Sequence, residues 1–410
     1  MTDAIAQLRY LITDEVPDVR GGLERSTLEV AEGLAARGAA INLLYEQDGT
    51  FLARYRSFCT TVTQVPRLSI GPHRSMRGAA ALARTMVVAA RSAPQVVYIN
   101  RLWHSGFGAG VASLCRAALV CHLRFPSAVR GLQARIGAPR VDRFIAVSHH
   151  LRDEYRAAGL DPERIDVVHN GVDPARYHPS SPGGRSASRA RLGIPPDAYV
   201  VLFAGRLDPE KGVEVLLQAF PQLLRNCDDA WLVVAGGPNH HPTQDAGRAY
   251  EGSLRAMANP QRTRWLPFQA DVAPLYHAAD VVVLPTVGQE PLGRVVLEAM
   301  ACGLPIVATS TGGTPEAFAA DHRWLMVPPG DIRALTDRLT DLHGWSERRP
   351  RLGSELRRHV SEHFSLEQTL DGVEAAVGRA LRHASGRRGL PFVRGNPQFA
   401  RLPGGGDGRF

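Results

Sequence analysis

Two carboxylates, Glu290 and Glu298, stand in the stretch TVGQEPLGRVVLEAMACGLPIVAT (286–309) with seven residues between them. Glu290 falls in a loop after an apolar strand. Pro291 and Gly293 punctuate the turn, and a helix is predicted to begin near Arg294. Glu298 then lies within the first half of that helix, so both carboxylates can face one cleft and hold hydroxyls of a sugar or a ribose. The amides of Gly293, Arg294 and Val295 at the helix start offer an anion site between them. Val295, Val296, Leu297, Ala299 and Met300 crowd Glu298 with apolar groups, which argues against a merely solvated carboxylate.

GRLDPEKG (205–212) directly follows a predicted strand, with Arg206 and Lys211 five apart in a loop that leads into a helix. A guanidinium and an ammonium so placed can grip a diphosphate and neutralise charge gathering on a leaving group. A solvated charged loop closed by Gly212 is the plainer alternative. Gly21 and Gly22 precede another helix, where backbone amides can approach an anion. His122 ends the apolar run ALVC as a site candidate or the filler of a polar pocket, and His104 follows YINRLW. His240 and His241 are adjacent in a polar loop without metal-ligand spacing.

Short apolar strands must carry these loops. LRYLIT (8–13), AINLLY (40–45), VVYI (96–99), ALVC (118–121) and FIAV (144–147) alternate with helical patterns, and the polar stretch DEVPDVRGG links the first strand to its helix. A second series follows: VVLFAG (200–205), WLVVAGG (231–237), RTRWLPF (262–268), DVVVLP (280–285) and PIVATS (305–310). The pattern predicts an α/β fold, two doubly wound parallel sheets with ligands in the cleft beyond their strand ends. The Pro-, Ser-, Gly- and Arg-rich interval 174–196 reads as the crossing between them, and PNHHPTQDAGRAYEG as a long loop after WLVVAGG.

The chain has 410 residues, beyond the usual size of one core, and a net charge of +8. Six Arg and one Asp lie between Arg382 and Phe410, so the surplus sits in a basic tail and is a weak argument for nucleic-acid binding. The five cysteines form no close pair, no basic-then-apolar leader opens the chain, and no run of eighteen apolar residues occurs. A cytoplasmic chain is expected, with peripheral membrane contact not favoured. No GxGxxG or Walker A pattern supports an oxidoreductase or a P-loop enzyme.

Together these elements resemble glycosyltransferase family 4, retaining enzymes of GT-B fold. The family's E–x7–E motif matches Glu290 and Glu298, its GRL–K–G element Arg206, Lys211 and Gly212, its NGVD element Asn170 to Asp173, and its GG–helix element Gly21 and Gly22, in the family's order from about residue 8 to 380. The resemblance implies a nucleoside diphosphate sugar as donor (UDP-, GDP- or ADP-linked), a hydroxyl acceptor and no required metal or other cofactor. It implies that Gly22 approaches the donor phosphate, Arg206 and Lys211 bind the diphosphate, Glu290 the transferred sugar and Glu298 the ribose. The amides after Gly293 would help bind phosphate and sugar, and His122 would lie near the donor sugar.

It also divides the chain into an acceptor-side domain (1–173), a linker (174–196), a donor domain (197–364), a helix packing back on the first domain (365–383) and a disordered basic tail (384–410). Leu292 stands where the family often has Phe, a packing change. The acceptor is expected to be a small secondary metabolite, as in antibiotic biosynthesis, or a cell-envelope precursor. It would bind near Arg67–Arg77, Arg101–His104 and Arg124. Two competing readings are a nucleotide-sugar epimerase of GT-B-like fold and a nucleic-acid or anion binder acting through the basic tail.

Overall fold

The strand–helix alternation is realised as two parallel sheets in the computed structural model, which describes residues 7–18, 21–69, 76–126, 132–238 and 244–387. The first sheet contains β1 (Arg9–Asp14), β2 (Ala40–Tyr45), β3 (Thr61–Gln64), β4 (Val96–Ile99), β5 (Ala118–Leu123), β6 (Arg143–Ala146) and β7 (Ile165–Val167). Its order is β3-β2-β1-β4-β5-β6-β7. The second contains β8 (Tyr199–Ala204), β9 (Ala230–Ala235), β10 (Thr263–Leu266), β11 (Val281–Leu284), β12 (Ile306–Thr309) and β13 (Met326–Val327), ordered β10-β9-β8-β11-β12-β13. Each order reverses once, between β1 and β4 and between β8 and β11. At such a reversal neighbouring connections leave on opposite faces and open a crevice beyond the strand ends.

Side-chain alternation sets the two faces of the first sheet. Leu11, Val97, Ile99 and Leu119 join one apolar cluster. Tyr10, Ile12, Tyr98 and Val120 join the other, which the helices Gly22–Ala36 and Leu366–Arg387 cover. The last helix contributes Leu370, Val373, Val377, Ala380 and Ala384, a helical spacing that keeps one stripe on the sheet. Arg37, on the turn after the first helix, binds Asp371 and Glu374 at 2.8 Å each. Among the described residues no helix is long and apolar enough to cross a membrane.

Several elements depart from the sequence reading. The interval 174–196 holds a helix, Pro182–Leu192, started by the Ser181 side chain accepting from the Gly184 amide. Its buried Arg189 binds Asp280 at 2.7 Å and so docks the helix on the second sheet. The loop read from 238 to 252 is shorter, because Gln244–Met257 is a helix; His240 and His241 lie outside the described residues. Helix Leu366–Arg387 runs past residue 383, with Ala384 buried, whereas the tail from 388 lies outside the described residues.

The NGVD element has a steric cause. Val172 bridges Ser365 in parallel, its amide donating to Phe364 O (3.0 Å) and its carbonyl accepting from Leu366 N (3.1 Å). A Cβ on Gly171 would stand 2.2 Å from Ser365 O, so only glycine admits this approach.

Candidate active site

The loops that follow β8 and β11 lie against each other at the second sheet's reversal. Gly212 has φ +64°, and a Cβ there would come within 2.1 Å of Pro285 O. The Val287 and Gly288 amides both donate to Glu210 O. This contact brings Lys211 Nζ to 2.6 Å from Glu290 Oε2, with both side chains largely buried. Arg206 is turned onto Asp208 at 3.1 Å and keeps about a third of its side chain exposed.

Glu290 is also held from behind by a glycine pair that sequence reasoning passed over. Gly312 has φ +55°, and its Cβ would be 2.1 Å from Glu290 O; the Gly313 amide donates to that oxygen at 2.7 Å. The signal was present as a GG pair directly after an apolar strand, the same signal read at Gly21 and Gly22.

Glu298 lies in helix Arg294–Ala301, whose N-cap Gly293 supplies no side-chain hydrogen bond. The Gly293, Arg294 and Val295 amides are therefore presented at a helix start with no side-chain cap. Glu298 is buried and shared: Oε2 accepts from Tyr276 Oη at 2.8 Å, and Oε1 from Arg294 Nε at 3.3 Å. Arg294 does more than lend its amide. Its buried guanidinium reaches the first helix, meeting Glu29 Oε2 at 2.8 Å and Ser26 Oγ at 3.1 Å. Burial works against that charge, but Glu29 and Glu298 outweigh it and raise the guanidinium's pKa. Gly22 faces the same side chain; a Cβ there would lie 3.3 Å from Arg294 Cδ. Gly21, the N-cap of that helix, is fully extended and likewise lends no side chain. The structure thus brings Gly22 against Arg294, and Lys211 against Glu290.

In the first sheet His122 is fully buried at the end of β5. Its Nδ1 lies 2.5 Å from Tyr98 Oη and accepts from Arg124 Nη2 at 3.1 Å. Accepting there leaves the proton on Nε2, which has no partner. Burial first, and the Arg124 charge second, push the imidazole pKa well below its usual value, so the ring is neutral. Arg124 is itself enclosed, donating to Asn100 Oδ1 (3.3 Å) and Asn170 Oδ1 (3.2 Å).

The basic groups expected to meet an anionic acceptor are mostly spoken for. Arg101 pairs with Glu15 (3.4 Å) and Glu24 (3.3 Å). His104 is buried between Thr13 Oγ1 (3.2 Å) and Glu15 Oε1 (3.0 Å). Burial raises Glu15, but the His104 bond and charge, with Arg101, outweigh it and hold the carboxyl at about 2. Arg74 lies outside the described residues.

Ser148 caps helix His149–Ala157 by accepting from Leu151 N. Across the cleft Glu316 accepts from the His149 and His150 amides at 2.8 Å each and from His169 Nε2 at 2.9 Å. His149, His169 and Glu316 form a three-residue cluster within metal-ligand reach. Glu316's oxygens are committed to amides at the positive end of a helix, which suits an interdomain clasp better than a cation site. A cavity of about 510 Å³ lined by His322, Trp324, Arg349 and Glu355 involves none of these loops.

The fold and the strand-end loops define a two-sheet GT-B protein. Residues 20–176 match the family described as Glycosyltransferase Family 4, and residues 184–359 the family described as Glycosyl transferases group 1. The two matches together span most of the chain, which is related to both families and has the GT-B fold.

Similar proteins include the D-inositol 3-phosphate glycosyltransferases of Streptomyces bingchenggensis and Rhodococcus opacus. The first is 36% identical over 276 residues, 65% of this chain and 58% of that protein; the second is 36% identical over 241 residues, 57% and 52%. The chain spans little more than half the length of these relatives. Among solved structures, Anabaena HepE in complex with UDP and glucose superposes with TM-score 0.78 at 23% identity, covering 91% of this chain and all of that one. Sucrose-phosphate synthase from Thermosynechococcus elongatus gives 0.71 at 20%, covering 93% and 99%. At these identities the likeness concerns the fold.

Proposed function

We propose that this chain is a retaining glycosyltransferase that moves a sugar from a nucleoside diphosphate sugar to an acceptor hydroxyl. The observation that carries the reading is the Lys211–Glu290 pair beside a helix start without a side-chain cap, with Glu298 one turn further on. Lys211 has three N–H donors, so it can keep Glu290 and still meet a phosphate. With Arg206 and the Gly293–Val295 amides it would stabilise the leaving diphosphate. Glu290 would hold the transferred sugar, Glu298 the ribose, and the Gly21–Gly22 turn would approach the donor phosphate. His122, neutral and with a free Nε2–H, would donate to the donor sugar. The domains read from the sequence then take their roles, with the donor on the second sheet and the acceptor on the first. Retention would follow front-face attack, with no protein nucleophile.

HepE was solved with UDP and glucose, which favours a UDP-sugar as the first donor to try. The named relatives are D-inositol 3-phosphate glycosyltransferases, which favours a small polyol or polyol phosphate as acceptor. The test is a thermal-shift and hydrolysis screen over UDP-, GDP- and ADP-sugars. At least one nucleotide should raise the melting temperature and one sugar nucleotide should be turned over; a flat response to all three classes defeats the reading.

A further inference from the structure

Asp14 is the last residue of β1, at the reversal point of the first sheet. By alternation it continues the face of Tyr10 and Ile12, in register with Tyr45, and His122 continues the same face from Val120 on β5, in register with Ile145. Asp14 is 3% exposed, no side chain hydrogen-bonds either carboxylate oxygen, and the nearby Val16 amide only partly offsets its burial. The Tyr55 hydroxyl, also buried and without a partner, is close enough to feel the charges of Asp14, Glu24 and Arg124. The reversal point of the first sheet therefore carries a carboxyl group and, within its electrostatic reach, a hydroxyl, neither satisfied by a side chain, on the sheet face that also bears the unpartnered His122 Nε2. Buried polar atoms are rarely left in this state unless a ligand or bound water completes them.

We propose that Asp14 and Tyr55 form the subsite that receives a hydroxyl of the acceptor, the O–H donating to the Asp14 carboxylate and the Tyr55 hydroxyl donating to the acceptor oxygen. This rests on the glycosyltransferase reading above. Glu24 and Arg101 are already paired with each other, and His104 with Glu15, so Asp14 is the carboxylate of this group left to bind an acceptor hydroxyl. The subsite is closed over in this arrangement. Acceptor entry accompanies opening of the cleft, which the Arg294–Glu29 contact now holds shut.

Burial first, then the Glu24 charge, partly countered by Arg101, lift the Asp14 carboxyl to about 7. The groups facing it are Glu24 on the first helix, Glu15 next in the chain, Arg101 after β4 and Tyr55 from helix Leu52–Phe58. The ionised form is the stronger acceptor for the hydroxyl, so transfer should rise with pH through about 7. The same raised value means the native state holds a proton that the unfolded chain releases near 4. Stability should therefore fall as pH rises from about 4 to 7.

The test measures UDP release from UDP-glucose with water alone, then with glycerol, glucose and myo-inositol, in the full chain and in Asp14→Asn and Tyr55→Phe. Asp14→Asn should lower UDP release at least tenfold with every acceptor, water included, and flatten the pH profile. UDP affinity should stay within twofold, and the melting temperature at pH 8 should equal or exceed that of the unmodified chain. Tyr55→Phe should raise the polyol KM several-fold. Unchanged release and an unchanged pH profile in Asp14→Asn overturn the subsite while leaving the donor reading intact. A drop in release with a lost melting transition overturns it too, because Asp14 would then be structural. An unmodified chain that releases no UDP from any sugar nucleotide overturns both.

Discussion

Burial and charge act together at His122, and their joint effect decides what the ring can do. A protonated imidazole would sit beside the enclosed Arg124 guanidinium, so the neutral form wins. The unfolded imidazole titrates near 6.5. A native value depressed below that contributes stability above about pH 6.5 and loses it as pH falls, since the unfolded chain takes up the proton first. His122 therefore lowers the urea midpoint between pH 7 and 5, against the rise that Asp14 contributes over the same range, and His122→Gln should shift the slope towards higher stability at pH 5; an identical slope would remove His122 as a contributor. Lys211→Met poses a different problem, because it leaves Glu290 buried and unpaired. It should cost about 3 kcal/mol of stability and lower transfer by about 100-fold. The double change Lys211→Met/Glu290→Gln should recover much of the stability and none of the transfer. Recovery of transfer would show that the pair has only a structural role.

At the scale of loops and helices, glycines set the positions of the chemical groups. Gly312→Ala must displace the Glu290 carbonyl or leave the left-handed region, and should destabilise by about 1–3 kcal/mol. Gly252→Ala, in an exposed helix with nothing near its Cβ, should instead stabilise by about 0.5–1 kcal/mol. Equal effects at the two positions would mean that packing around Glu290 is looser than described.

These same positions show what the sequence discloses. Ten strands were legible because buried parallel strands are continuous apolar runs such as VVVL and AWLVVA, whereas β3, β7 and β13 are short and only partly buried and were not read. The Glu290, Glu298, Arg206 and Lys211 loops were legible because chemistry at strand ends needs those residue types. Helix Pro182–Leu192 was not, since its arginines and serines carry no apolar stripe and its docking rests on Arg189 meeting Asp280 across the second half. Asp14 was hidden for a related reason. It reads as the first residue of a polar loop, and only the sheet shows that its carboxylate faces inward.

Across the whole molecule, buried contacts link the two sheets' halves. Arg294 ties Glu298 to Glu29, and Glu316 clasps the His149–Ala157 helix from the far side. Glu29→Gln weakens the first tie and leaves part of the Arg294 charge uncompensated. It should loosen closure, seen as a larger radius of gyration by X-ray scattering, and the difference should shrink when a nucleotide is bound. An unchanged radius would mean that the clasp at Glu316 suffices. Truncation has a defined limit. Removing 388–410 should leave transfer intact and argue against a function carried by the basic tail, whereas removal from 384 takes the buried Ala384 out of the first sheet's core.

The pairing of Val172 with Ser365 makes the second half a guest within the first. The chain departs at one point, builds the whole of β8–β13, and returns to the strand-like bridge it left, where Leu366 begins the helix that finishes the first core. Departure and return are joined by two backbone hydrogen bonds. A chain in which a short Gly-Ser turn replaces 174–363 should fold on its own, with a single cooperative melt, because its ends already meet. A molten product would show that the first half needs its guest to stand.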